Sequence, residues 1–384
     1  MKTRTVAMVI TILVVAGLGV GYLAAANNGA NTQTKTPTTS TTASRQSVSI
    51  TTRSLLNGQP IPVSSVETAN MTIGDYRSIA FSPNSSRIYV AGGSSLLVID
   101  ASSHSVIANI TLPGTALGGI AMDDNANIVY VSVSGEVAEI NGSTNAVVGK
   151  LPLDFSSLAY NPSTHIIYGF SAAHEGLLIG ADVRTGSIVA NISVGPPGWS
   201  GAFAMLNPRT NMVYTVGCEA SGLVCLSPLS IVNRTSETLV TTIHSWNSGD
   251  YPTMAVDSAT NVVYVSGLQS LLALNGTNGD TIFDVNPLAC APFPVMAVVP
   301  SSNQVLMVPQ FSDYLLVYNG TSGSLVNMYS FPSPISPLSL AFDPVTDELY
   351  VTTDSGQLVA FRDVAATGNV NNTLVGSGQD CPRP

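Results

Sequence analysis

The chain has 384 residues, a formal net charge of −10 and only 9% charged residues, well below the usual share of about a quarter. That length is too great for one small domain and enough for one large all-β domain. The scarcity of Lys and Arg excludes nucleic-acid binding, which demands a basic face.

The first predicted element is apolar. Lys2 and Arg4 precede an uncharged run from Val6 to Ala26, 21 residues long. About 20 residues suffice to cross a bilayer as a helix. Residues 1–26 are therefore expected to be a transmembrane anchor. The small residues Ala24, Ala25 and Ala26 leave a cleaved signal peptide as the alternative. Either reading puts the rest of the chain outside the cell, because the positive flank stays in the cytoplasm. Residues 27–55 are rich in Thr and Ser and poor in apolar side chains, and are expected to be a disordered linker or stalk.

Residues 56–384 carry a repeat. Seven ten-residue windows align: "FSPNSSRIYV" from 81, "MDDNANIVYV" from 122, "YNPSTHIIYG" from 160, "LNPRTNMVYT" from 206, "VDSATNVVYV" from 256, "VPSSNQVLMV" from 299 and "FDPVTDELYV" from 342. They are spaced by 41, 38, 46, 50, 43 and 43 residues. Each window is a strand end, a turn of Asn, Asp, Pro and Ser, and a second strand, which is a β-hairpin signal. Six windows place Tyr at the ninth position; in the sixth window Met307 stands there. A small or apolar residue precedes each window: Ala80, Ala121, Ala159, Met205, Ala255, Val298 and Ala341. A third strand such as "SLLVID" and a fourth such as "SVIANITLPG" complete each unit. Four-stranded units of this length, repeated seven times, predict a seven-bladed β-propeller of antiparallel blades. The tyrosines are then expected on the second strand, wedged between blades. Two segments compete to complete the last blade, "SSVETANMTIG" at 64–74 and "NVNNTLVG" at 369–376; the first is the preferred closing strand.

The recurring wording, a Tyr-Val strand followed by Asp and an "NI.vG" strand, resembles the YVTN-type β-propeller repeat of surface-layer-like and secreted archaeal and bacterial proteins. The resemblance covers roughly residues 68–377 and departs from the pattern in the sixth unit, with an insertion in the fourth. It implies a propeller fold and an extracytoplasmic setting, and says little about activity, since propellers host binding scaffolds and enzymes alike.

Four-stranded topology puts the 1–2 and 3–4 turns on one face of the ring, here the turn face. The 2–3 loops and blade-to-blade connections share the other, the connection face. Cys218, Cys225, Cys290 and Cys381 all map to the connection face, and an even count in an exported chain suggests the disulfides Cys218–Cys225 and Cys290–Cys381. A metal site lacks partners at ligand spacing, and no cofactor is expected. Sequons at Asn70, Asn84, Asn109, Asn141, Asn191, Asn233, Asn275, Asn319 and Asn371 all fall elsewhere. Asn-Gly turn chemistry alone accounts for Asn141, Asn275 and Asn319.

Five connections carry an aromatic, Tyr76, Phe155, Trp199, Tyr251 and Phe293, and three add a carboxylate, Asp75, Asp154 and Asp250. These are the candidate ligand-binding residues, able to stack a sugar or hold a cation. The competing reading makes the aromatics plugs that seal the core. No catalytic set stands out. His104, His165, His174 and His244 map to a 3–4 turn, a 1–2 turn, a 2–3 loop and an outer strand end, and only His174–Glu175 is a local acid–base pair. The expected function is an extracellular binding or envelope-structural module for a protein or glycan partner, attached to the membrane through its N-terminus or secreted. The alternative is a propeller lyase or hydrolase using the connection face.

Overall fold

The computed structural model describes residues 78–362, apart from 172–173, 196–198, 222–223, 227, 244–252, 268–269, 287–293 and 311. It also describes five N-terminal strands, Ser44–Gln46, Arg53–Leu55, Gln59–Ile61, Val63–Ser64 and Thr68–Thr72. The proposed anchor, residues 1–26, lies outside the described residues, as does the C-terminal segment 369–376. Among the described residues no helix is long and apolar enough to cross a membrane. Two of the short strands, Ser44–Gln46 and Arg53–Leu55, fall within 27–55.

The chain forms seven antiparallel blades. Blade 1 spans 78–111, blade 2 116–151, blade 3 158–193, blade 4 199–243, blade 5 253–285, blade 6 295–335, and blade 7 337–362 with an added strand. In blades 1–6 the four main strands pair in chain order, and the first strands of all seven blades stand side by side in a closed ring around the axis. Second strands such as Arg87–Gly92 and Glu348–Thr353 are buried almost throughout, because neighbouring blades cover both sheet faces. That is why they read as continuous apolar runs rather than alternating ones. The core is accordingly a series of seven layers between blades, each built from two neighbours.

Blade 7 is completed by the N-terminal strand Thr68–Thr72, which pairs with Gln357–Arg362; Val359 lies opposite Asn70 and Ala360 opposite Ala69. Ser44–Gln46 adds a further strand outside it, and Val63–Ser64 runs parallel to Leu325–Ile335 at the rim of blade 6.

The 1–2 turns explain the Asn, Asp and Pro of the repeat. Each is four residues long and ends in a left-handed residue: Ser86, Asn127, His165, Asn211, Asn261, Asn303 and Asp347, at φ 49–58°. Asn and Asp tolerate that conformation better than other residues with a Cβ. The residue opening the turn, Ser82, Asp123, Asn161, Asn207, Asp257 or Asp343, accepts hydrogen bonds from amides two or three positions on. All six are buried; the turn uses at least one side-chain oxygen of each, and Asp123, Asn161 and Asn207 also bond the next blade through a second polar atom.

The sixth unit needs a correction of one residue. Its turn occupies 300–303, with Asn303 as the left-handed residue, so Val299 stands where the other blades have Ser, Asp or Asn. Leu306, not Met307, takes the tyrosine's place: it lies opposite Ala297, as Tyr264 lies opposite Ala255. Ala297, not Val298, is then the small residue on the first strand, which restores the Ala pattern. A one-residue slip turns each strand side chain to the other face, so Met307 faces blade 5 whereas Tyr264 faces blade 6.

A second regularity is absent from the repeat as read in sequence. The outermost strands of blades 1–6 each carry a bulge at the same point: Ile107, Val148, Val189, Val240, Ile282 and Val326. The first five are 43–56% exposed.

Candidate functional site at the connection face

The tyrosines dictate how the ring holds together and hence which face is free. Tyr214 Oη donates to the carbonyl of Gly276 at 2.9 Å, and Tyr264 Oη to that of Gly320 at 2.9 Å. In both cases the second strand of one blade reaches forward to the 3–4 turn of the next. A Cβ on Gly276 or Gly320 would come within 2.4 or 2.6 Å of that hydroxyl, so only glycine fits. Burial pushes both phenols up to about 12, which keeps them neutral donors. At the seam from blade 7 to blade 1, Tyr350 reaches the carbonyl of Ala101 at 3.3 Å and also donates to Glu348.

The remaining seams vary this contact. From blade 1, Arg87 Nη1 takes the Gly142 carbonyl and Asn145 Oδ1, and the Tyr89 hydroxyl, buried beside Gly142, has no partner. From blade 2, Tyr130 packs on Tyr160 with ring centroids 5.1 Å apart. Tyr160 Oη donates to Asp123 Oδ2 at 2.7 Å and lies 3.1 Å from His165 Nδ1. From blade 3, the Tyr168 ring lies under the Arg234 guanidinium at 4.5 Å.

Two histidines thus sit in clusters that the sequence alone did not suggest. His104, at the blade 1 3–4 turn, places Nε2 3.1 Å from Glu348 Oε2, with both side chains buried. Its ring meets Tyr350 edge-on at 5.9 Å. His165 joins Tyr160 and Asp123 between blades 2 and 3. Burial first, and then the hydrogen bond to a carboxylate, raise the Tyr160 and Tyr350 phenols. Tyr130 is pushed up to about 12 by burial, with Glu139 and Asp123 adding to it. The clusters lie at two separate seams of the turn face and work as blade-to-blade contacts. Their one sequence signal is Glu348, an acid at a window position where the other blades have Arg, Ile, Met, Val or Gln.

Of the residues expected to bind ligand, two are fully described. Phe155 is 1% exposed and packs with Tyr130, Leu158, Tyr160 and Ile167 between blades 2 and 3. Its ring would collide with a Cβ on Gly169 at 2.6 Å. It fills the core and offers no surface to a ligand, which is the plug reading. Asp154 is exposed, and its Oδ1 accepts the Gly135 amide at 3.2 Å, tying the connection to the 2–3 turn of blade 2. The backbone of Trp199 opens the first strand of blade 4, opposite Glu219. Asp75, Tyr76, Asp250, Tyr251 and Phe293 lie outside the described residues. So do Cys290 and Cys381, while Cys218 and Cys225 are placed by backbone only, on the paired strands Met212–Ser221 and Val224–Leu226. His174 and Glu175 are exposed in the 2–3 loop of blade 3, and His244 lies outside the described residues.

The sequons follow the rim and turn face. Asn109 and Asn191 are exposed on outermost strands, opposite Leu97 and Ile179; Asn70 occupies the matching position opposite Val359. Asn141, Asn233, Asn275 and Asn319 accept backbone amides within the 3–4 turns. Asn84 is exposed in a 1–2 turn, and Asn371 lies outside the described residues.

No protein-family model matches the chain, and no curated protein does. Solved structures do. One is hydrazine synthase of Kuenenia stuttgartiensis, at a TM-score of 0.65 and 11% identity, covering 76% of this chain and 97% of that one. Another is a chain of the mitotic checkpoint complex, at a TM-score of 0.62 and 15% identity, covering 76% and 93%. At such identities the likeness shows the fold alone.

Proposed function

We propose that the protein is an extracytoplasmic propeller of the YVTN type, acting as a binding or envelope-structural module that recognises a protein or glycan through its connection face. The observation that carries this is the contrast between the two faces. All seven 1–2 turns have four residues and one geometry. The 2–3 links instead range from two residues, at 93–94 and 134–135, to seven at 170–176. In blade 4, the link at 222–228 holds an additional strand, Val224–Leu226. A conserved scaffold with one variable loop face is how folds present recognition surfaces. The polar residues of the turn face are largely occupied by turns and seams, and the rigid seams would hold the connection loops at fixed distances with little ordering cost on binding.

The test is binding of the purified protein to arrayed glycans and to envelope proteins, with Trp199→Ala and Tyr251→Ala variants. A stacking anchor among these residues predicts about 1–3 kcal/mol weaker binding with an unchanged Tm. Binding that survives both substitutions and is lost on turn-face substitution would remove the reading.

A further inference from the structure

The hydrogen bonds divide the sequons into two kinds. In the 3–4 turns of blades 2, 4, 5 and 6, Asn141, Asn233, Asn275 and Asn319 each accept the backbone amide two residues on. The hydroxyl of that same residue is taken by the left-handed asparagine of the 1–2 turn. Asn127 Nδ2 donates to Ser143 at 2.8 Å, Asn211 to Thr235 at 3.2 Å, Asn261 to Thr277 at 2.9 Å and Asn303 to Thr321 at 2.8 Å. Asp100 and Asp182 open the same turn in blades 1 and 3, so the position asks for an acceptor and not for an asparagine as such. Turn-to-turn bonding thus accounts for these four sequons. Asn84 uses its Nδ2 on the Asp124 carbonyl of blade 2, at 3.1 Å.

Asn109 and Asn191 differ. Asn109 and Thr111 are exposed on either side of buried Ile110, and Asn191 and Ser193 on either side of buried Ile192. Among the described residues nothing hydrogen-bonds these four polar side chains. The equivalent position in other blades shows what the place requires. It is Lys150 in blade 2, Thr242 in blade 4 and Asp284 in blade 5. In blade 6 it is the buried Met328, on which Val63 of the N-terminal segment pairs, and in blade 7 it is Asn70, with Ser44 paired beside it. An unpaired outer strand invites another strand to add, and charge or a covering segment prevents this. The outer strands of blades 1 and 3 have neither, and their bulge residues Ile107 and Val189, two positions before the asparagine, are exposed apolar side chains.

We propose that Asn109 and Asn191 carry N-linked oligosaccharides that shield the outer strands of blades 1 and 3, while the four turn sequons stay bare. This rests on the extracytoplasmic reading above, since the acceptor motif serves exported chains. The donor is a lipid-linked oligosaccharide phosphate. Nδ2 attacks its anomeric carbon, an N–C bond replaces the C–O bond to phosphate, the lipid phosphate leaves and Nδ2 gives up one proton. In the turns the motif's hydroxyl is already bonded. Gly142, Gly276 and Gly320, next to three of the turn asparagines, also lie against the tyrosine hydroxyl of the preceding blade, where a sugar would crowd the seam.

The experiment is glycopeptide mapping of the full chain isolated from the cells that make it, with location checked separately by protease treatment of intact cells and by recovery from the medium. The expected result is oligosaccharide on the peptides of Asn109 and Asn191 and unmodified peptides at Asn141, Asn233, Asn275 and Asn319. Thr111→Ala and Ser193→Ala keep the asparagines and should each remove one glycan, and the double variant should elute as larger, self-associated species. Asn141→Asp should remove no glycan and leave Tm unchanged. Bare Asn109 and Asn191 in a chain found outside the cell would overturn the proposal and leave the extracytoplasmic reading standing; a chain found only inside would overturn both. Glycans on the turn sequons would overturn the division, and a double variant no more associated than the parent would overturn the shielding role.

Discussion

A single hydroxyl separates the tyrosine of six windows from a phenylalanine, and at Tyr214 and Tyr264 the structure gives that hydroxyl a specific task. Tyr264 Oη bonds the Gly320 carbonyl across a seam between two blades. Tyr264→Phe keeps the ring and leaves that buried carbonyl without this donor, so we expect a loss of about 1 kcal/mol. Gly320→Ala should cost more, about 1–3 kcal/mol, because its Cβ would meet the Tyr264 hydroxyl at 2.6 Å, where overpacking forces a shift. Chemical denaturation of both variants checks the ranking. If Tyr264→Phe were the worse of the two, the glycine would not be required by close approach. The tyrosine's wedge position was legible in the sequence from period and alternation. Its acceptor was not, because it lies 56 residues away on another blade. Phe155 shows the same limit: an aromatic in a connection looks identical whether it turns to solvent or to the core, and only packing against Tyr130 and Gly169 decides it.

Among elements, the closing strand carries the most weight. Thr68–Thr72 supplies the fourth strand of blade 7 from the opposite end of the chain. Ala69 lies opposite Ala360 within it, and proline there would remove the amide and constrain the strand. Ala69→Pro should therefore destabilise the ring by about 3 kcal/mol or more, whereas proline at Ser258, the turn position where Pro83, Pro162, Pro208, Pro300 and Pro344 stand in other blades, should cost far less. Limited proteolysis would report the difference as early cleavage near blade 7. The sequence offered two candidates for this strand, and hydrophobic pattern alone ranked them only weakly. The sixth unit was misregistered by one residue for a related reason. Without an Asp or Asn at Val299, the window was aligned on its apolar string, and an apolar string has no phase of its own. The outer-strand bulges were invisible because a bulge adds one apolar residue to a strand that already alternates loosely. Their effect is to kink each outer edge, which discourages strand-to-strand association at the rim.

At the scale of the whole molecule, the buried phenols act together. Tyr130, Tyr160, Tyr168, Tyr214, Tyr264 and Tyr350 all have their ionisation shifted upward, chiefly by burial. A raised tyrosine contributes its full stability below the unfolded value of about 10 and loses it as pH climbs toward the folded value. Each one adds up to about 1.4 kcal/mol of lost stability per pH unit in that window. The ring should thus melt cooperatively at alkaline pH, with Tm falling steeply above about pH 10. Absorbance of tyrosinate should lag behind a free-tyrosine titration until unfolding releases these residues together. A smooth titration at the free value, with Tm unchanged, would contradict the sealed seams.

The strand that closes the ring is also the last of five strands between the proposed anchor and blade 1. A pull on the N-terminus therefore enters the propeller at its own clasp. Ser44–Gln46 pairs with Thr68–Asn70, and Thr68–Thr72 pairs in turn with the end of blade 7. The outer pairing would yield before the inner one is loaded, and the inner one would open from the Thr68–Phe361 end, one pair at a time. Under tension the molecule would give way stepwise, Ser44–Gln46 first, Val63–Ser64 from the rim of blade 6 next and the clasp last, while the blades keep their remaining hydrogen-bonded strands intact.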